Sequence, residues 1–317
     1  MLLTYNKAVT DILLSHVGPI CKFVLFIPLW FPEETDFSSW LRFVYDNGVK
    51  EIALEDVRRP ARKFPTCLFS FFRLTHLTLL NCKLGSLSPT FRGFPCLISL
   101  KFSNYYVKRY YKTNVLTNLI SKCPLIECLH IFSCNSFGTL TIRAPKLREF
   151  VCRVLQVSDV SLEETTAIEV LCLHIYCGTL QQSKNTNDFF SCLANVKRLS
   201  LWHLSCSLLA IELAKSRATT IETIRYGVES GGQLNQFDAS CMSCIFQCLK
   251  TVDLVGITGL SNELKLIRFL LACTPVQDEM TIKLGMEMRG TEKQVNFFKE
   301  LNQYRRASPN AEMIFKT

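Results

Sequence analysis

Cys241, Cys244 and Cys248 come nearest in this chain to a metal-binding phrase, a C-x-x-C pair followed by a third thiol. Deprotonated, three such sulfurs suit a tetrahedral zinc ion, but a structural site closes with four ligands. No second close pair supplies the fourth, and Cys248 directly precedes a strand-like phrase where a thiol is structural, so no metal site is assigned. The histidines, His16, His76, His130, His174 and His203, have no glycine-rich loop or nucleophile elbow beside them. With only 13 glycines in 317 residues there is little to build a phosphate cradle. No catalytic residue and no cofactor site are expected, and the chain is not read as an enzyme. The chemistry left is recognition. His130, Phe132, Arg153, His174, Arg198, Trp202 and Arg225 each stand beside a Leu-x-Leu-like pair, and guanidinium and large ring groups give much contact for little entropy loss. Together they are expected to bind an acidic or aromatic-bearing segment of a partner protein.

Those seven residues share a surface only if short strands hold them side by side. The stretch LTHLTLLNCKL at 74–84 fills the pattern L-x-x-L-x-L-x-x-N/C-x-L with Leu74, Leu77, Leu79, Cys82 and Leu84. Leu77 and Leu79 alternate with Thr78 and so enter a core from one face, and Cys82 is expected to turn the chain away. The slots refill at Val49, Ile52, Leu54; Leu97, Leu100, Phe102; Ile126, Leu129, Ile131, Cys134; Leu147, Phe150, Cys152; and Ile168, Leu171, Leu173. They return at Val196, Leu199, Leu201; Ile221, Ile224, Tyr226; and Leu249, Val252, Leu254. From Ile52 onward the intervals are 25, 23, 29, 21, 21, 28, 25 and 28, the range of leucine-rich repeats. The fold expected is an α/β leucine-rich repeat solenoid, a horseshoe with short parallel strands on its concave face.

Flanking the inward slots, the outward positions read Cys128, His130, Phe132; Glu149, Val151, Arg153; Val170, Cys172, His174; Arg198, Ser200, Trp202; Thr223, Arg225, Gly227; and Thr251, Asp253, Val255. Residues 1–48 form an expected N-terminal cap, with a helix at 5–14, a strand near 23–26 and a second helix near 37–45 presenting Trp40, Leu41 and Val44 on one face. Residues 49–248 hold the repeats. Helical spacing at 115–120, 189–193 and 208–214 places helices on the convex side, and Glu229–Gly232 and Asn185–Asp188 read as polar breaks. Residues 249–317 continue the interval with helices at 262–272 and 292–304 and a strand near Met280, Ile282 and Leu284.

The 16 cysteines occupy core or turn slots in many cases, as at Cys82, Cys96, Cys123, Cys134 and Cys152, where free thiols behave as small apolar groups. The start of the chain lacks a secretory pattern, which with the thiols points to cytoplasm or nucleus. The longest apolar run, 23–31, is too short for a membrane span and contains Pro28. A net charge of +9 invites acidic partners, but the basic residues are dispersed. Two clusters, Arg58, Arg59, Arg62, Lys63 and Lys108, Arg109, Lys112 among Tyr105, Tyr106, Tyr110 and Tyr111, read as solvated loops, and nucleic acid is not the expected partner.

Several phrases in a fixed order carry a family resemblance: FPTCLFSFFRLTHLTLLNCKL (64–84), PTFRGFPCLISLKF (89–102), LISKCPLIECLHI (119–131) and LTIRAPKLREF (140–150). They are similar to the plant F-box/FBD/LRR-repeat family. The tail, with CLKTVDLVGITGLSNELKLIRFLLACTPVQDEMTI (248–282) and QVNFFKELNQYRRASPNAEMIF (294–315), resembles its FBD domain, most specifically at Arg306, Ala307, Ser308, Pro309 and the finish Ile314, Phe315. HVGPICKFVLFIP (16–28) resembles the entry to the repeats. The resemblance implies the substrate-recognition part of a ubiquitin-ligase adaptor. No F-box precedes residue 16, so a Skp-family adaptor is not an expected partner of this chain. Two other readings stay open: an F-box-less scaffold or competitor, and single-stranded nucleic-acid binding through the basic face.

Overall fold

Apolar side chains spaced i, i+2 can all enter one core only from an extended backbone, and each predicted pair falls in a strand. The computed structural model describes residues 2–31, 37–57, 62–63, 65–83, 87–89, 91–104, 113–175, 192–202, 220–227 and 246–316. The chain divides into two units, Met1–Phe150 with Val154–Thr165, and Val151–Arg153 with Thr166–Thr317.

The first unit runs α1 (Leu2–Ser15), β1 (Lys22–Ile27), α2 (Ser38–Asp46), β2 (Glu51–Asp56), β3 (Arg62–Lys63), β4 (His76–Leu80), β5 (Cys82–Lys83), β6 (Ser99–Asn104), α3 (Thr113–Ser121), β7 (Cys128–Arg143) and β8 (Glu149–Glu163). Its sheet order is β1-β2-β4-β6-β7-β8, and β3 pairs with β5. The pairs from β1 to β7 are parallel and in repeat register, so Ile52, Leu77, Leu100 and Leu129 stack, as do Leu54, Leu79, Phe102 and Ile131. The second unit holds β9 (Val170–Ile175), β10 (Arg198–Trp202), β11 (Thr223–Gly227), β12 (Thr251–Ile257), α4 (Ser261–Cys273), β13 (Glu279–Leu284), α5 (Glu292–Leu301) and β14 (Glu312–Lys316). Its strands follow chain order and are parallel, stacking Leu171, Leu199, Ile224, Val252, Met280 and Met313. An α/β architecture built on a parallel sheet is thus in place in each unit.

All three inward slots of every predicted coil, from Val49, Ile52 and Leu54 to Leu249, Val252 and Leu254, are no more than 3% exposed. Each such side chain contributes about 1.5 to 3 kcal/mol by leaving water. Two backbone devices fix where each strand starts. Before the strand, a turn closes with Leu97 N–H donating to the Phe94 carbonyl, Ile126 to Cys123 and Leu147 to Ala144. Pro95, Pro124 and Pro145 sit second in these turns, where a fixed φ near −65° is already correct. At the strand start, two successive N–H groups share one carbonyl of the preceding coil: Thr75 and His76 on Lys50, Ile98 and Ser99 on Thr75, Glu127 and Cys128 on Ile98. The same sharing recurs in the second unit on Glu169, Lys197, Glu222 and Lys250.

The expected first helices are present. Trp40, Leu41 and Val44 of α2 are buried, and the Trp40 indole N–H donates to the Thr10 hydroxyl at 3.0 Å. Helical spacing at 115–120 becomes α3, and 262–272 and 292–304 become α4 and α5. The stretches 208–214, Glu229–Gly232, Asn185–Asp188, Arg58, Arg59 and 105–112 lie outside the described residues. Three details differ from expectation. The turn after β4 falls on Asn81, in the left-handed region at φ +57°, and Cys82 begins β5; asparagine tolerates that conformation better than most side chains. β7 runs through Cys134 to Arg143 without turning. The chain's end forms β14, held by the closing phrase: Ala307 N–H donates to the Leu271 carbonyl, Ser308 hydroxyl to that of Gln277, and the Arg306 guanidinium to that of Ala311.

The thiols among the described residues are unbridged, and Cys82, Cys123, Cys152, Cys172 and Cys273 are buried. Burial pushes the Cys123 and Cys152 thiols up to about 12. No described helix is long and apolar enough to cross a membrane.

Candidate partner-binding face

Because the strands stack in register, each outward position meets the same position of its neighbours, and rows of side chains run across the strands. In the second unit, one row aligns His174 on β9, Trp202 on β10 and Gly227 on β11. The next row aligns Ser200, Arg225 and Asp253. Gly227 matters for what it lacks: a β-carbon there would stand 2.6 Å from the Trp202 ring. The indole therefore lies over bare backbone. His174 packs beside it with ring centroids 5.1 Å apart and planes tilted by 39°. The Arg225 guanidinium stands 5.8 Å from the ring centroid, within cation–π range.

Arg225 is paired on its other side with Asp253, its Nε 3.1 Å from Oδ2. His174 Nε2 lies 3.2 Å from the Ser200 hydroxyl. Both residues are thus held in place around the indole, and the cation's charge is largely balanced. The outcome is a half-buried aromatic platform with a fixed, compensated guanidinium edge. Arg198 does not join it: it is exposed at the opposite end of β10, about 13 Å from Trp202 along the strand.

In the first unit, His130 and Phe132 lie on the outward face of β7, ring centroids 5.9 Å apart and nearly perpendicular. His130 Nε2 meets Glu149 Oε1 of β8 at 2.9 Å and Cys128 Sγ at 3.4 Å. Arg153, which belongs to the second unit, is exposed on β8. So the structure brings His174, Trp202 and Arg225 into contact, pairs His130 with Phe132, and leaves Arg198 away from the indole.

Sequence reasoning missed Asp253, Gly227, Cys128 and Glu149 as participants. The signal existed, since Asp253 occupies in its coil the slot that Arg225 occupies in the one before. Of the three thiols weighed and not assigned as a metal set, Cys248 is exposed, and Cys241 and Cys244 lie outside the described residues.

Comparison with known proteins agrees with the repeat frame. A family model described as "FBD-associated F-box protein At5g56370, LRR repeats" matches residues 37–187. The chain is also similar to the F-box/FBD/LRR-repeat protein At1g13570 of Arabidopsis thaliana, 25% identical over 356 aligned positions that take in 98% of this chain and 83% of that protein. Residues 37–187 thus match leucine-rich repeats of the FBD-associated F-box kind, and the chain's resemblance to the plant F-box/FBD/LRR-repeat family is borne out.

Proposed function

We propose that this chain is a protein-recognition module without intrinsic catalysis, the substrate-recognition part of an F-box-type ubiquitin-ligase adaptor. In this reading the coils form a horseshoe solenoid, with a cap at 1–48, repeats at 49–248 and an FBD-like closing region at 249–317. The working surface is the outward strand face. The observation that supports the reading is the platform of His174, Trp202 and Arg225: tryptophan and arginine are enriched among interface hot spots, and here a ring and a guanidinium stand side by side. Because Asp253 already balances Arg225, an aromatic-bearing segment fits better than a bare phosphate chain.

The test is affinity capture from plant extract by the full chain, with quantitative comparison against Trp202→Ala, Arg225→Ala and Arg198→Glu. Proteins held by the platform should fall at least tenfold with Trp202→Ala while the thermal melt stays put, and Arg198→Glu should have the smallest effect. Equal recovery by folded Trp202→Ala would remove the proposal. Nucleic acid as the true partner would show instead as capture that collapses with added salt.

A further inference from the structure

Cys128, His130 and Glu149 bring three different donor atoms to one spot on the outward face of the first unit, with Sγ, Nε2 and the carboxylate oxygen all within 4.8 Å of one another. We propose that these three side chains form a binding site for a zinc-class divalent ion, with a fourth position open to solvent or to a donor from a bound partner.

The spacing suits such an ion. Tetrahedral zinc with bonds of about 2.0 to 2.3 Å holds its ligand atoms about 3.3 to 3.6 Å apart. Here Sγ to Nε2 is 3.4 Å and Nε2 to Oε1 is 2.9 Å, each within a few tenths of an ångström of that spacing, and the sulfur and the carboxylate lie within 4.8 Å of each other. The donors are rigidly mounted. Cys128 and His130 are two apart on β7 and share a face, and the Glu149 backbone is pinned beside them by its N–H donating to the Glu127 carbonyl at 2.9 Å. Behind the sulfur, the buried Ser99 of β6 stands in register with Cys128 and hydrogen-bonds its side chain, the kind of support that orients metal ligands.

Proton chemistry leaves this arrangement ill matched by itself. His130 Nε2 carries either a proton, which serves the Glu149 carboxylate, or a lone pair, which serves the Cys128 S–H. It cannot do both. A cation placed among the three meets the lone pair, the carboxylate and the sulfur together, and binding releases the thiol proton. Sulfur, imidazole and carboxylate donors in one set select a borderline ion of the zinc class over magnesium or calcium, which take oxygen. Burial raises the Cys128 thiol and Glu149 raises it further, while Ser99 and Lys101, opposite His130 on β6, act the other way.

The test is titration of the reduced 317-residue chain with cobalt(II), read by the sulfur-to-cobalt charge-transfer band, and with zinc against a chelating indicator. The band should be lost in Cys128→Ser and persist in Cys241→Ser/Cys244→Ser. Zinc affinity should fall by more than about 100-fold in His130→Ala and by about 10- to 100-fold in Ser99→Ala, the range for supporting residues. Zinc should raise the melting temperature of the parent and not of Cys128→Ser. A band unchanged in Cys128→Ser, or one that follows Cys241 and Cys244, would overturn the proposal. So would zinc binding too weak to compete with the indicator.

Discussion

The coils that begin at β7 and β8 and the coil that begins at β12 place equivalent front strands with different backs. Residues 129, 150 and 171 are 21 apart, and the chain returns in extended form: β7 and β8 continue past their front segments to bury Leu140 and Ile142, and Val160 and Leu162. Arg143 and Glu163 pair across the two returns. From 252 to 280 the interval is 28, and the return is α4, which buries Leu266, Ile267, Phe269, Leu270 and Leu271. Geometry accounts for the difference. A helix of 13 residues spans about 20 Å, a distance that about six extended residues also cover. The seven residues saved are the seven by which the intervals differ. The front strands bury the same slots in both, Leu129 and Ile131, Phe150 and Cys152, Val252 and Leu254, so outward chemistry can change from coil to coil without reference to how the back is built.

Inward side chains should dominate stability in both kinds of coil. Phe150→Ala is expected to cost about 3 to 5 kcal/mol and Leu254→Ala about 2 to 5, read from denaturant midpoints. A negligible loss for Leu254→Ala would mean that α4, not the front strand, holds its coil. Next comes Arg268→Pro on the exposed side of α4, at about 3 kcal/mol or more with loss of far-ultraviolet helical signal. An unchanged spectrum would show that the return need not be helical.

Glu263 ranks third. Nearly fully buried in the first turn of α4, it accepts from the backbone N–H groups of Thr258 at 2.9 Å and Leu260 at 3.0 Å. Glu263→Ala leaves both donors unpaired, for about 1 to 3 kcal/mol. Burial raises this carboxyl, outweighing the hydrogen bonds that lower it. Its contribution is therefore full below the unfolded value near 4.5 and is lost as pH rises through the raised folded value. Against non-titrating Glu263→Gln, the parent should weaken across that rise in pH-resolved unfolding curves; parallel curves would contradict the assignment. The smallest effect belongs to the front: Arg225→Ala should change stability by less than about 0.5 kcal/mol, because its pair with Asp253 is partly exposed. A larger loss would show that the face is structural.

Much of this was legible from spacing alone. The Leu-x-Leu beat named the inward residues of the nine coils from Ile52 to Leu254, since a slip of one residue would have turned each pair to water. The turn phrases FPCL, CPLI and APKL marked strand entries through proline's fixed φ. The extended returns were harder to see. Leu140 and Ile142 alternate with Thr139, Thr141 and Arg143, a period-two signal, but the frame's slot at Cys134 suggested a turn there. The site was half legible for a similar reason. Rows predicted which positions neighbour one another, yet not which side chains lean together; that depended on the bare backbone at Gly227 and on Glu149 reaching back 19 residues to His130.

Thiols sealed at Cys123 and Cys152, with the pKa pushed up to about 12 by burial, should ignore alkylating reagents at neutral pH as long as their coils stay shut. Each is then a built-in clock for local opening, and the two labelling rates, followed by peptide mass, would time the coil that begins at β7 separately from the one that begins at β8.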